Sequence, residues 1–493
     1  MSATSVTSVS TPHPPDSVSA ASAAPRRWWA LALLALAQFV VVLDASIVNI
    51  ALPSIGTALH FSQSSLSWVI DAYVLTFGGG LLLGGRLADL LGRRRLFIVG
   101  LVLFGAASFA GGVATTGAVL IAARVVQGVG GALLAPAALS LVTTIFTEGA
   151  ERNKAMGVWG AVAGSGGAAG VLLGGVLTSA LGWRWVLFVN VPVCLVAAAL
   201  APLLIAESQE SVQAGRRGGV DLPGAATVTA GLGALVYALV GAGNAGWTSA
   251  RTVGLLAAGA ALLFVFVLIE RRTASPLVPL RIFRQRQVSA ANLIGLLLGA
   301  AMLGLFFVLT LFMQQVLGYS PLRSGLAQLP LGVAIIAAAG LASPLVTRLG
   351  VKPVLISGIT VFAAGMAWLT RIGVHSSFTV ALLGPTLLVA VGLGLAFVPL
   401  TIAATSGVPD HEAGLAGGLI NTSQQIGGAV GLAVLATIAT SRTNHLVATG
   451  DTVRAALTGG YQVAFAAGAA LLLVAAAVTA VILPRTETAA AGE

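Results

Sequence analysis

The chain has 493 residues, 57% of them hydrophobic and only 8% charged, with a mean hydropathy of +0.99 and a net charge of +10. A soluble protein carries about 25% charged residues and lacks the interior to hide so much apolar surface, so composition excludes a soluble globular protein and points to a chain solvated by lipid. The positive charge does not mark a nucleic-acid binder, because the basic residues are spread between apolar runs instead of gathered on one face.

In chain order, the first 25 residues are rich in Ser, Thr, Ala and Pro and predict a disordered tail, closed by Arg26 and Arg27. The apolar run that follows continues to Pro53 without the small-residue cleavage site of a secretory signal. Apolar runs then recur at roughly 29–52, 66–86, 96–114, 118–142, 155–179, 186–206, 222–242, 252–270, 289–314, 325–346, 353–371, 378–401, 413–438 and 461–483. Each is about the 20 residues that a helix needs to cross the hydrocarbon core. They are continuous and not alternating, which excludes a strand barrel. The expected fold is therefore an all-α, multi-pass membrane protein with fourteen spans and short connections.

Charge sets the orientation. With the N-terminus inside, the inner segments hold 18 of the 25 Lys and Arg residues and the outer segments 6, while Arg124 lies within a span. The bias predicts both termini in the cytoplasm and an even number of spans. Cys194 is the one cysteine and lies in an apolar run, so no intrachain disulfide forms.

A short internal repeat aligns Leu87–Leu96 (LADLLGRRRL) with Leu345–Val354 (LVTRLGVKPV), matching Leu87 with Leu345, Leu91 with Leu349, Gly92 with Gly350 and Arg94 with Lys352. The two segments follow the second and tenth spans. Two six-helix halves with spans 7 and 8 inserted between them place these loops equivalently, an arrangement common among secondary transporters. The domain reading is a cytoplasmic tail at 1–27, a six-helix bundle at 28–206, a linker with two extra helices at 207–288, a second bundle at 289–483 and a short tail at 484–493.

Lys154 follows Asn153 and Lys352 follows Val351, so there is no phosphate-binding Gly-Lys-Ser/Thr loop, and ATP is not an expected partner. There is no GxSxG elbow or HExxH helix, and the five histidines (His13, His60, His375, His411 and His445) fall in the tail or loops. No cofactor, metal or catalytic site is expected. An ion gradient remains as the energy source.

Ionisable residues inside a span are costly and mark pathways or proton relays. Three fall there: Asp44 in span 1, Asp71 in span 2 and Arg124 in span 4, all in the outer half of the membrane by helical rise. They read either as a charge-neutralising structural set or as a protonatable carboxylate tuned by an arginine. Asn292, Gln314, Asn421, Gln424 and Gln425 are polar residues of second-half spans that either line a cavity or join helices.

The segments VVLDASIVNIALPSI at Val41–Ile55, GRLADLLGRRR at Gly85–Arg95 and LIAARVVQGVGGA at Leu120–Ala132 resemble signature motifs of the major facilitator superfamily. WRWVLFVNVP at Trp183–Pro192 and QQVLGYSPLRSGLAQLP at Gln314–Pro330 are similar to its fourteen-span drug:proton antiporter branch. The resemblance implies two rocking six-helix bundles that export a small lipophilic, in some cases cationic, drug in exchange for protons.

It also implies roles at matching positions: Gly85, Asp89, Gly92, Arg93 and Arg94 as a cytoplasmic gate, Asp44 and Asn49 as the span-1 motif, and Arg124, Gln127 and Gly128 as the span-4 motif linked to proton transfer. Gly166, Gly170, Gly174 and Gly175 match the antiporter motif, a smooth stripe that admits a neighbouring helix. Leu90 and Val171 depart from the pattern, where the family carries a basic residue and a proline. Rival readings are an uptake symporter on the same fold, which opposite pH dependence would reveal, a membrane enzyme, and a receptor without flux.

Overall fold

The computed structural model describes residues 17–62, 65–146, 149–206, 221–273, 276–278, 280–405 and 413–484. Among these residues the chain forms fourteen helical crossings joined by short connections. They are α1 Ser17–Ala58, α2 Trp68–Leu91, α3 Arg93–Gly112, α4 Gly117–Ile145, α5 Gly149–Ala180, α6 Trp185–Leu204, α7 Leu222–Ala245, α8 Ala250–Arg272, α9 Arg286–Leu311, α10 Pro321–Leu349, α11 Val351–Leu369, α12 Leu383–Thr405, α13 Ala413–Ala448 and α14 Val453–Ile482. A π turn, Phe312–Val316, extends α9, and another, Phe378–Leu382, leads into α12. Twelve of the helices are long and apolar enough to cross a bilayer. The apolar parts of α2 and α5 are shorter, Trp68–Leu81 and Ala169–Ala180. An even number of crossings brings the two described chain ends to one side, called here the terminal side; the opposite side is the far side.

At the N-terminus α1 reaches back into the stretch expected as a tail. The tail expected over 1–27 is helical from Ser17 onward. Four alanines favour helix in the stretch before Pro25, and α1 runs through that proline into the span behind it.

Helices α1 to α6 pack on one another, as do α9 to α14. The two groups meet along two seams, α5 against α10 and α2 against α13. Helices α7 and α8 form a pair, and α7 lies over the second seam, touching both α2 and α13. A Cβ on Gly79 would stand 2.8 Å from Thr229 Oγ1 of α7, and Thr437 of α13 donates to the Leu239 carbonyl of α7 at 3.0 Å.

The internal repeat has a structural counterpart. Gly92 is the single residue between α2 and α3, with φ 98°, and Gly350 is the single residue between α10 and α11, with φ 86°. Only glycine adopts such a backbone without strain, so both joints require it. Eight residues further on in each half a second glycine permits a close crossing. A Cβ on Gly100 would stand 2.9 Å from Leu134 N, and one on Gly358 would stand 2.8 Å from Ala396 N. Gly130 and Gly392 answer from the facing helices, at 2.7 Å from Phe104 N and 2.3 Å from Phe362 N. Small residues at such crossings let backbones approach in lipid, where no hydrophobic force drives helices together.

Candidate functional site

Polar side chains from four helices meet inside the first group. Asp44 of α1 is fully buried. Its Oδ2 accepts from Arg124 Nη1 at 2.5 Å, and its Oδ1 accepts from Gln127 Nε2 and Asn190 Nδ2, each at 2.8 Å. Arg124 and Gln127 stand three residues apart on α4, so one helix face presents both, and Arg124 Nη1 also donates to Gln127 Oε1 at 2.7 Å. Ser108 of α3 closes the ring, accepting from Gln127 at 2.7 Å and from Asn190 at 3.4 Å. Arg124 Nε donates to the Val69 carbonyl of α2 at 2.9 Å, and its guanidinium lies 4.3 Å from the centre of the Tyr73 ring.

This arrangement satisfies a buried ion pair, which is stable only when the remaining lone pairs and N–H groups find partners. It also gives the pair something to exchange. A proton arriving on Asp44 would cancel its attraction for Arg124, and the Gln127, Val69 and Tyr73 contacts would hold the arginine in place.

Asp71 stands apart. It is fully buried in the first turn of α2, and its carboxyl lies beside the Ser67 hydroxyl, outside the ring. Sequence depth placed Asp44, Asp71 and Arg124 together. The structure joins the first and third and leaves Asp71 outside, because helical rise gives depth and not azimuth.

Asn49, 7% exposed, has an Oδ1 without a partner and does not enter the ring. Gly128 serves packing: a Cβ there would stand 2.0 Å from Thr76 Oγ1 and 2.5 Å from the Tyr73 carbonyl, so it seats α4 against α2 beside the ring.

At the junction of α2 and α3, Arg93 donates to Thr144 Oγ1 of α4, and Arg94 donates to the Ile205 carbonyl after α6 at 3.2 Å. Gly85 faces Pro136 of α4, with a Cβ contact of 3.8 Å. The Asp89 side chain lies outside the described residues.

The α5 glycines do receive a helix. Cβ atoms on Gly166, Gly170 and Gly174 would meet Val42, Ser46 and Ile47 of α1 at 3.0, 2.7 and 2.8 Å. Gly175 turns to the other half, where its Cβ would stand 2.8 Å from the Pro321 carbonyl of α10. Gly325 of α10 answers against the Val171 carbonyl at 2.7 Å, so the first seam is glycine-lined on both sides.

Among the second-half polar residues, Asn292 accepts from Ser423 at 2.7 Å and donates to Val288 O at 2.8 Å, a packing role. Gln314 donates to the Ile50 carbonyl of α1 at 2.9 Å, across the two groups on the far side. Gln424 lines a small cavity of about 10 Å³ with Leu298, Met302 and Phe397. Gln425 meets Gly78 on the second seam, with a Cβ contact of 2.7 Å. Asn421 is exposed.

Sequence reasoning missed Asn190 and Ser108 as members of the ring. A lone asparagine in an apolar run was a usable signal; a serine in a small-residue helix carried none. It also missed two buried acids at the inserted pair, Asp221 and Glu270.

The sequence matches the family description "Major Facilitator Superfamily" twice, over residues 34–222 and 222–432. The chain belongs to the major facilitator superfamily. The two matches meet at Leu222, the first residue of α7. This superfamily member is 43% identical to the puromycin resistance protein of Streptomyces alboniger, over 97% of this chain and 95% of that one. It is 42% identical to the cephamycin export protein of Amycolatopsis lactamdurans, over 92% of each. Against the tetracenomycin C resistance and export protein of Streptomyces glaucescens the identity is 35%, over 85% of this chain and 77% of that one. The superfamily fold is shared with the crystal structure of a D-xylose-proton symporter, at a TM-score of 0.66 and 14% identity over 93% of this chain and 98% of that one.

Proposed function

We propose that this protein exports small lipophilic antibiotics or drugs across the cytoplasmic membrane in exchange for protons, with the terminal side facing the cytoplasm. The observation that carries the coupling is the buried Asp44–Arg124 pair, held by Gln127, Asn190 and Ser108 from three further positions. The family and the resistance and export relatives support the transport class.

Asp44 is the proton carrier in this reading. With Arg124 opposite, the ionised carboxylate is satisfied; protonation cancels its attraction for the arginine, which Gln127, Val69 and Tyr73 keep in place, and so shifts the balance between the two bundle arrangements. One charge moved through 100 mV is worth about 2.3 kcal/mol, which suffices to bias a two-state equilibrium by more than tenfold. Asp71, buried beside the Ser67 hydroxyl and with no ion pair among the described residues, takes up a second proton or a cationic cargo. The far-side contacts Gln314 to Ile50 and Leu322 N–H to Ser179 Oγ at 3.1 Å form the outer closure that must part for release. Asp89 with Arg93 and Arg94 forms the cytoplasmic gate, and residues 28–206 and 289–483 act as the two rocking bundles with the inserted pair between them.

Drug efflux from proteoliposomes under an imposed pH gradient tests this reading. Asp44→Asn abolishes gradient-driven export, and Asp71→Asn reduces export of cationic more than neutral compounds. If both variants pump as the parent does, neither carboxylate carries the proton.

A further inference from the structure

A proton carrier must be satisfied in two forms, and the groups around Asp44 suit only one of them. The ionised carboxylate can only accept, and Arg124, Gln127 and Asn190 each present an N–H to it. Once protonated, the same group has an O–H to give, and N–H groups offer it no acceptor. A buried hydroxyl left without an acceptor is costly, so the ring must supply one.

Of the three donors, Asn190 alone is able to change. Arg124 has no acceptor atom. Gln127 is held at both ends of its amide: Oε1 accepts from Arg124 and Nε2 donates to Ser108, each at 2.7 Å. Turning it over would set Nε2 against the guanidinium, donor against donor. Asn190 is held at one end. Its Nδ2 donates to Asp44 Oδ1 at 2.8 Å and to Ser108 Oγ at 3.4 Å, while its Oδ1, fully buried, receives no hydrogen bond among the described residues. The ionised carboxylate dictates this orientation, because Oδ1 facing it would set acceptor against acceptor. The backbone beneath the amide is fixed by close packing on α3. One turn on from Asn190, Cys194 fills the place where a Cβ on Gly105 would stand 2.9 Å from its own, and Phe188 does the same at Gly112. The last torsion of asparagine is broad and roughly two-fold, so the amide can turn while the helix stays seated.

We infer that Asn190 is a positioning residue whose amide turns over with the charge of Asp44, giving N–H to the carboxylate and C=O to the carboxylic acid. The inference rests on Asp44 as the proton carrier. The proton adds to Asp44 Oδ1 and stays there, and Asn190 gains and loses none. In the protonated form Asn190 Oδ1 accepts the new O–H, Gln127 still donates to the same Asp44 oxygen, and Asp44 Oδ2 still accepts from Arg124. Ser108, an acceptor for two amides in the ionised form, has a hydroxyl proton of its own to give to the turned carbonyl. Among the described residues the other charged or titratable groups facing Asp44 are Arg124 from α4, Tyr73 from α2 and Cys194 from α6. Tyr73 and Cys194 make no hydrogen bond to it, and α3 and α5 face it with Ser108 and glycines, so the acceptor falls to Asn190.

The full-length protein in lipid nanodiscs, with asparagine isotope-labelled at its side-chain carbonyl, is acidified stepwise while infrared difference spectra are recorded for the parent, Asp44→Asn and Asn190→Leu. In the parent a carboxylic acid band, absent from Asp44→Asn, rises with the same pH midpoint as a shift of an asparagine amide band, absent from Asn190→Leu. In Asn190→Leu the acid band moves to higher frequency, because its O–H has lost the acceptor. An Asp44 band with a silent amide, or an acid band of unchanged frequency in Asn190→Leu, overturns the inference and leaves Asp44 as the carrier. No Asp44 band anywhere in the titration removes the carrier, and the inference with it. If Asn190→Leu does not fold, the labelled amide in the parent and in Asp44→Asn decides: an amide shift that persists without the Asp44 carboxyl overturns the inference equally.

Discussion

Replacing Asp44 with Asn separates what the ion pair does for stability from what it does for transport. The carboxylate accepts three hydrogen bonds from charged or amide donors, at 2.5, 2.8 and 2.8 Å. An asparagine keeps one acceptor oxygen, and its NH₂ must face either Arg124 or the Gln127 and Asn190 amides, all of which are donors there. At least one buried donor is orphaned, and Arg124, at 1% exposure, loses its counter-charge. Breaking a buried pair on one side costs about 3–5 kcal/mol. Removing both charges is cheaper, because no uncompensated charge remains. Asp44→Asn and Arg124→Gln should therefore each lower stability by about that amount, and the double variant should be more stable than either single one. Denaturant-dependent unfolding of the purified protein in one detergent measures all four corners of the cycle. Export should be absent in the double variant despite its recovered stability. An Asp44→Asn protein as stable as the parent, or a double variant less stable than both singles, would refute this account of the site.

Five further outcomes follow from the packing, the topology and the proposed cytoplasmic gate. Gly350→Ala, at φ 86° and ψ 164°, should cost about 1–3 kcal/mol, read as a lowered thermal midpoint, and Gly92→Ala should behave alike. Gly170→Leu should prevent α5 from seating on α1, where even a Cβ stands 2.7 Å from Ser46, and should be seen as loss of folded protein on size-exclusion chromatography. Cysteines replacing Ser179 and Leu322, whose side chain and backbone meet at 3.1 Å, should cross-link and block efflux until reductant is added. Reporter fusions after Thr115 and Asn244 should read outside and those after Arg94 and Arg216 inside, while Asp89→Asn should impair drug tolerance at normal abundance.

Much of the frame was legible because lipid imposes length. Runs of about 20 apolar residues announce helices irrespective of tertiary context, and charged loops announce their side. The ten-residue repeat could be extended only with coordinates, since Gly100 and Gly358 look like ordinary small residues until the facing backbones are seen. The site was half legible. Asp44 and Arg124 stood out because charge in a span is rare. That Asp71 faces away from them was not readable, since a helix touching lipid on one side and protein on the other is apolar all round and periodicity carries no facing signal. Glu270 and Asp221 were hidden for a different reason. Near a helix end an acid looks like solvated loop, and only the folded connector, returning Val278 over Glu270, buries it.

The placement of α7 bears on how the two halves can move. One seam is lined by Gly175 and Gly325 with backbone set against backbone, and Ser179 holds its far end through the Leu322 N–H. The other is bound over by α7, which is tied to α2 through Trp68 and Tyr237, 5.8 Å apart, and to α13 through Thr437. If the halves rock as proposed, they part like the covers of a book, with α7 as the binding along the spine and the glycine seam, clasped by Ser179, as the fore-edge.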